Sequence, residues 1–574
     1  MVELSRGMQY AKHTGNYLCV KCIFLNFSRN TNCTGPQQVR KIIMCHRFNF
    51  GRMEETMKFE VIYKTSTSFV VEIKENGYFS SEQEHEIYVN DKLAEKSNRN
   101  VVTVFGLAPA TTYNIKLICG EEESETFQVT TKEEYVTLNV KDFGAKGDGE
   151  TDDTHFIQCA INACPKGGRV YIPEGVYKIY PLFLKSDLVF DIGKDATLSA
   201  FTDRTKFPIL PGKIECVDKE QEYLLGTWEG DPLDMFAGIL TGIHVENVVI
   251  TGQGTIDGCA SRENWWDNPK VKRIAWRPRM IFLNHCKNVV LHGITVKNSP
   301  SWNIHPYFSE DLKFINISVL GPKDSPNTDG LDPESCKNVE IIGVYFSVGD
   351  DCIAIKSGKI YMGAKYKTPS ENLTIRQCCM RDGHGSITIG SEMAGGVKNL
   401  NVENCLFLHT DRGLRIKTRR GRGKDAIVTG IKFENIIMDH VMTPVVMNSF
   451  YFCDADGHSD YVQSKEFHPV DERTPYLGDF LFKNLKATNC HAAASYLYGL
   501  PEQKIHHVVF ENASFSFAEN PTAGAPAMMD GVDKQTNTGI FAKNIETLEL
   551  KNVTVSGQNG DAVTCDGIDR YINV

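Results

Sequence analysis

Between residues 246 and 402 one short pattern returns six times: a polar pair, an apolar-x-apolar triplet, a glycine or polar residue, then a second apolar triplet. The second residue of the pair falls at 247, 288, 311, 338, 372 and 399, giving spacings of 41, 23, 27, 34 and 27 residues. Weaker echoes follow near Ile431, Phe480, Val508 and Leu548. Irregular periods of this size, with strand-like alternation and almost no helical periodicity, specify an all-β solenoid. Each turn adds short parallel strands about 4.8 Å from the next. Unequal turn lengths put the insertions on one side, where a binding groove can form. The 574 residues therefore need no division into several globular domains, because a solenoid grows by adding turns. The array occupies residues 138–574.

Composition narrows the function classes. The chain has 62 Lys+Arg against 72 Asp+Glu, a formal charge of −10, which argues against a nucleic-acid partner. No stretch approaches eighteen uninterrupted apolar residues, so no membrane span is expected. Four of the eighteen cysteines lie in the first 57 residues, and the other fourteen are scattered, mostly in hydrophobic strand-like runs. They read as reduced core thiols, and the expected location is the cytoplasm. The neighbours Cys378 and Cys379 should face opposite sides of one strand.

Ahead of the array the chain changes character twice. Residues 1–55 are basic and cysteine-rich without periodicity, and Tyr17 to Leu25 makes a poor signal peptide. Cys19, Cys22, Cys33, Cys45 and His46 match no standard zinc-finger spacing, so no metal is expected there. The leader reads as an extension outside the folded protein, with Met53 or Met57 as its start. Residues 56–131 carry short alternating strands (59–63, 68–73, 86–89, 101–104, 113–117, 126–129), as in an antiparallel sandwich. Ser97 to Asn100 reads as a turn. The run from Leu107 to Tyr113, Leu-Ala-Pro-Ala-Thr-Thr-Tyr, resembles the fibronectin type III signature, whose tyrosine hydroxyl bonds to backbone at a corner. Such a domain has no chemistry of its own and reads as a spacer or packing platform. Thr151 and Asp152 then look like N-caps of an amphipathic helix carrying Phe156, Ile157, Ala160, Ile161 and Cys164 on one face. It would cap the open end of the stack.

Chemistry gathers in four segments. Asp329 lies in Asn-Thr-Asp-Gly at 327–330, and Asp350 and Asp351 follow Gly349 21 residues later, close to one turn. Adjacent aspartates on a flat strand point apart, so the chain must bend near Gly349 for both to face a groove. His384 sits between Gly383 and Gly385, a pattern that implies close approach of backbone or substrate. Arg415 and Lys417 flank a buried Ile416 and share a face. Each segment alone has a bland reading, as a solvated turn or a structural histidine. Stacked in one column they offer carboxylates, an imidazole and two cations, a set suited to cleaving an acidic sugar polymer.

These four segments, in this order, resemble the polygalacturonases, glycoside hydrolases of family 28, over essentially all of 138–574. The run from Asp142 to Asp148 is shared more widely among pectin-active β-helices and supports only the fold. The resemblance implies a right-handed parallel β-helix of the pectin-lyase kind and hydrolysis of α-1,4-linked galacturonate with inversion. It implies Asp350 as general acid, Asp329 and Asp351 as joint activators of water, and His384 as the group tuning the acid. Arg415 and Lys417 would bind the substrate carboxylate, with Tyr451 as a further contact. An inverting site needs acid and base carboxyl groups about 6.5–9.5 Å apart, and crowding of three should raise at least one pKa. Extra segments at 201–241 and 259–279, the latter with Trp265, Trp266 and Trp276, and the run 299–306 with Trp302 and His305, resemble bacterial exo-acting members. On that reading Trp302 and His305 line the substrate site. No cofactor or metal is implied, the partner is a galacturonide, and the oligomeric state is open. The rivals are a Ca²⁺-dependent pectate lyase, whose base takes the C5 proton, and a glycan-binding β-helix without turnover.

Overall fold

The computed structural model describes residues 59–74, 77–217 and 222–574. The leader 1–55 and its cysteines lie outside the described residues. The described residues all belong to one compact unit.

The asparagines that end the polar pairs explain the solenoid. Asn247, Asn288, Asn338, Asn372 and Asn399, with Asp311, all adopt left-handed backbone at φ of 52° to 58°. Asparagine tolerates that region because its side chain bonds locally. Here the side chains also bond to one another between turns: Asn288 to Asn247 at 2.8 Å, Asn338 to Asp311 at 2.9 Å, Asn372 to Asn338 and Asn399 to Asn372 both at 3.2 Å. The ladder ends at Gly430, where a Cβ would meet Asn399 Oδ1 at 2.9 Å. A second ladder runs through Asn404, Asn435, Asn484, Asn512 and Asn552. Each corner thus fixes the register of the next strand.

The result is a right-handed parallel β-helix, whose turns join in a 28-stranded sheet. Strands such as Lys287–His292, Glu310–Ile315, Lys337–Ile342 and Ser370–Arg376 pair in parallel, turn upon turn. One continuous apolar core fills the interior, from Val140 to Leu550. The helix Thr154–Ala163 closes the amino-terminal end by burying Ile157, Ala160 and Ile161. Its N-cap is Asp153, not Thr151 or Asp152, which belong to strand Asp148–Asp152. Asp153 is fully buried and its carboxylate accepts the backbone N–H groups of Lys146 and Gly147.

Residues 59–130 form two antiparallel sheets. Phe69, Val71, Ile73, Val102 and Val104 from one pack against Ile87, Ile115, Leu117 and Val129 from the other. Ser97 to Arg99, expected as a turn, are the end of strand Lys92–Arg99, which pairs with Ser80–Val89. Tyr113 Oη accepts the Ala108 backbone N–H at 2.8 Å. This sandwich is docked on the helix: Val70 and Val101 meet Val290, Ile315 and Ile342. Beside them Arg376 Nε and Nη2 donate to Glu72 at 2.8 and 3.0 Å. The fourteen cysteines in the described region are all free thiols, nine of them buried, Cys378 and Cys379 included.

Candidate active site

Successive turns place one face of short strands in register. Ile304 pairs with Leu331, Leu331 with Ile353, Ile353 with Ile387, Ile387 with Leu414 and Leu414 with Val445. These apolar residues point inward, so the positions between them point out. Asp329 and Asp351 take equivalent places on adjacent turns, with Gly330 N–H donating to Asp351 O at 2.9 Å. Gly349, Asp350 and Asp351 lie in a bend rather than a strand, which lets neighbouring aspartates face the same way. The bend packs close on its neighbour, since a Cβ on Gly349 would meet Ser325 O at 2.4 Å.

The glycines flanking His384 perform the close approach. A Cβ on Gly385 would lie 2.8 Å from Asp351 Oδ1, and one on Gly383 would lie 2.6 Å from Asp350 O. His384 Nδ1 stands 3.5 Å from Asp350 Oδ1, and its backbone N–H donates to Asp350 O at 3.1 Å. It opens on a cleft of about 470 Å³ lined also by Lys323, Arg381, His409 and Asp411. The hydrogen bond that the ring donates to Asp350 raises the imidazole pKa above its ordinary value, against the effect of burial.

Side-chain oxygens of Asp329, Asp350 and Asp351 all lie within 4.8 Å of one another. The 6.5–9.5 Å separation expected from the sequence is therefore not found, because the carboxylates come from adjacent turns in the same register. Burial, then Asp350 and Asp332, push the Asp329 carboxyl well above the usual range. Asp351 goes the other way: burial would raise it, but Lys417 and Arg415 outweigh burial and hold it far below the usual range. Lys417 Nζ is 2.8 Å from Asp351 Oδ2 and Arg415 Nη1 is 3.2 Å from Oδ1. Three oxygens this close are also a grouping that can hold a cation, though the two cations already occupy Asp351.

The structure brings Tyr451 to the same place, its ring centroid 5.7 Å from Lys417 Nζ. It places Trp302 and His305 beneath the surface, 3% and 0% exposed. His305 Nε2 bonds to Glu334 Oε2 at 2.9 Å, and burial keeps its ring neutral. Trp302 is sandwiched between cations, with Arg279 and Lys356 each 4.2 Å from its ring centroid. Both are buried beside the site, as Asp329 and Asp351 themselves are. Trp265 and Trp266 likewise pack inward, while Trp276 stacks on Trp228 with centroids 4.6 Å apart.

Sequence reasoning missed Lys356. Its Nζ is 3.0 Å from Glu392, 3.6 Å from Asp332 and 4.0 Å from Asp329, all buried. Burial would lower the Lys356 pKa, but Glu392 and the two aspartates raise it well above its ordinary value. The alternation of Ile353–Ile355 carried one residue onward puts Lys356 on the outer face, a signal that was readable. Glu392 and Arg279 come from other turns, and no local spacing announces them.

The profile described as "Glycosyl hydrolases family 28" matches residues 216–517, more than half of the chain. The chain belongs to glycoside hydrolase family 28. A probable polygalacturonase of Vitis vinifera is 31% identical over 67% of this chain and 74% of its own length. An exo-poly-alpha-D-galacturonosidase of Dickeya chrysanthemi is 26% identical over 76% of this chain and 77% of its own. Among solved structures, a Yersinia enterocolitica family 28 exopolygalacturonase superposes with a TM-score of 0.66 at 19% identity, covering 90% of this chain and 98% of that one. This last likeness speaks for the fold alone.

Proposed function

We propose that this family 28 hydrolase cleaves α-1,4 bonds between galacturonate units, and does so from chain ends. The observation that carries the reading is the stack of Asp329, Asp350 and Asp351, their side-chain oxygens within 4.8 Å of one another, with Arg415 and Lys417 paired to Asp351. The reactive form carries one proton between Asp329 and Asp350, placed on Asp350. Asp350 gives it to the glycosidic oxygen as the C1–O bond breaks. Water, held by Asp329 and Asp351, bonds to C1 and gives its proton to Asp329. Ionised Asp329 is a strong base because its burial disfavours the charge. Return of the proton from Asp329 to Asp350 over a gap within 4.8 Å resets the site. His384 holds Asp350 in place, and Arg415, Lys417 and Tyr451 receive the sugar carboxylate. We propose inversion at C1, with the water entering beside the pair rather than between its members.

Chain-end action is supported by the extra segments that reach the groove. Trp228 stacks with Trp276 and lies 6.4 Å from Trp302, while Gly230 O accepts the Lys359 N–H at 3.1 Å. Its amino-terminal sandwich is assigned to the fibronectin type III class on the Tyr113 corner, with docking as its role. The free thiols support a reducing compartment, which cell fractionation checks. The test is a size-resolved time course on de-esterified polygalacturonate with EDTA present. Saturated mono- or digalacturonate from the outset is expected; an intermediate ladder would make the enzyme endo-acting, and EDTA-sensitive unsaturated products would make it a lyase.

A further inference from the structure

Residues 525–530 lie across the two cations expected to receive substrate. Arg415 and Lys417 are each only 8% exposed, and Arg415 Nη2 touches Met528 Sδ. Arg412 donates to Pro526 O at 3.0 Å and to Ala525 O at 2.6 Å, and Asn448 Nδ2 donates to Met528 O at 2.9 Å. Ala527 and Met529 are buried in an apolar cluster with Val446, Phe450 and Tyr498, and Gly524 pairs with Gln535 at the neck of the loop. The segment is thus pinned on both sides of Met528, whose thioether meets Arg415. What space remains among Arg412, Arg415, Lys417, Asn448, Tyr451 and Met528 is about 10 Å³, room for one water and not for a sugar ring. The segment lies beyond residue 517, where the family 28 match ends.

We infer that Met528 and its segment set the substrate class, admitting the end of a short oligogalacturonide at the Arg415 end of the groove and excluding the interior of a long polymer. This rests on the galacturonide reading above. An incoming carboxylate exchanges with the thioether for the guanidinium, a trade favoured by charge. Only the unbranched methionine side chain has to swing aside, since its neighbours stay anchored. A chain continuing past that sugar meets the displaced Met528 side chain, which the anchored backbone of 525–530 keeps in its path, and stops.

The test is the ratio of kcat/KM on long polygalacturonate to kcat/KM on trigalacturonate, for wild type, Met528→Ala and Met528→Leu, with thermal melts confirming the fold. Wild type is expected to favour the trimer by about tenfold or more. Met528→Ala should raise the polymer-to-trimer ratio at least about fivefold, and Met528→Leu, which keeps the bulk, should leave it near wild type. A ratio in Met528→Ala within about twofold of wild type would overturn the proposal, as would a wild type that prefers polymer. Turnover of neither substrate by wild type would instead overturn the galacturonide reading, and this one with it.

Discussion

Asp329 and Asp351 stand one above the other on adjacent turns, fixed by the pairing of Leu331 with Ile353, yet they hold protons in opposite ways. The difference comes from what each faces. Asp351 meets Lys417 at 2.8 Å and Arg415 at 3.2 Å, whereas Asp329 has Lys356 no closer than 4.0 Å and three carboxylates around it. One site therefore contains both a permanent anion and a group that accepts and returns a proton.

Asp350→Asn should lower kcat on trigalacturonate by about 10²–10⁴-fold, the usual loss when a general acid is removed. Its side chain is 22% exposed, and its contacts, His384 at 3.5 Å and the Asp351 backbone N–H at 3.0 Å, are ones an amide oxygen can also accept, so the melting temperature should hold. Steady-state kinetics beside a thermal melt check this. Near-normal kcat would reassign the acid.

The raised His384 pKa gives a pH signature. Its imidazolium persists above the ordinary value near 6.5 and is lost as pH rises through the raised value. Wild-type kcat/KM should fall on that basic side. His384→Gln should lower activity about 10–100-fold and remove that limb from the profile. A limb unchanged in the variant would belong to another group.

Asp332 is fully buried and burial pushes its pKa up to about 8 despite Lys356 at 3.6 Å. A carboxyl raised on folding binds its proton more tightly folded than unfolded. It therefore favours folding at low pH and loses that contribution as pH climbs from about 4 toward about 8. Asp332→Asn should consequently gain on wild type in melting temperature between pH 5 and pH 8. A gap that shrinks or reverses would mean the ion pair with Lys356 outweighs burial.

Glu72 has the opposite sign. Burial would raise its carboxyl, but the bonds from Arg376 win and hold it below the usual range, so its contribution is present above about pH 4 and lost as pH falls below. Glu72→Ala leaves Arg376 half-buried and unpaired on this side, at a cost of about 3 kcal/mol at neutral pH. Calorimetry should show the sandwich melting separately before the helix. A single unshifted transition would mean that apolar docking through Val70 and Val101 suffices.

Inversion of an α-linkage releases the β-anomer first. Proton NMR of the earliest trigalacturonate products reads this directly, and α-anomer first would assign a retaining mechanism, toward which the close carboxylates lean on separation alone.

The solenoid was legible because one physical requirement, a left-handed corner once per turn, recurs as asparagine at 247, 288, 338, 372 and 399 and as aspartate at 311. The four catalytic-type segments were legible because each lies on its own turn, so spacing along the chain becomes stacking in space. What stayed hidden depends on side chains meeting across turns. Lys356 and Glu392 are 36 residues apart and touch only through the register. Trp302 and His305 sit on the outer face as alternation requires, but the segments around Trp228 and Arg279 bury them. The carboxylate spacing was misjudged because one turn brings oxygens closer than an inverting pair is usually held.

The most direct test of the central claim is cleavage of polygalacturonate in oxygen-18 water by wild type and Asp350→Asn side by side, with products weighed by mass spectrometry. The trio acting as described predicts saturated products with one oxygen-18 at each new reducing end from wild type, and almost none from the variant. Unlabelled unsaturated products, or equal labelling by the variant, would contradict it.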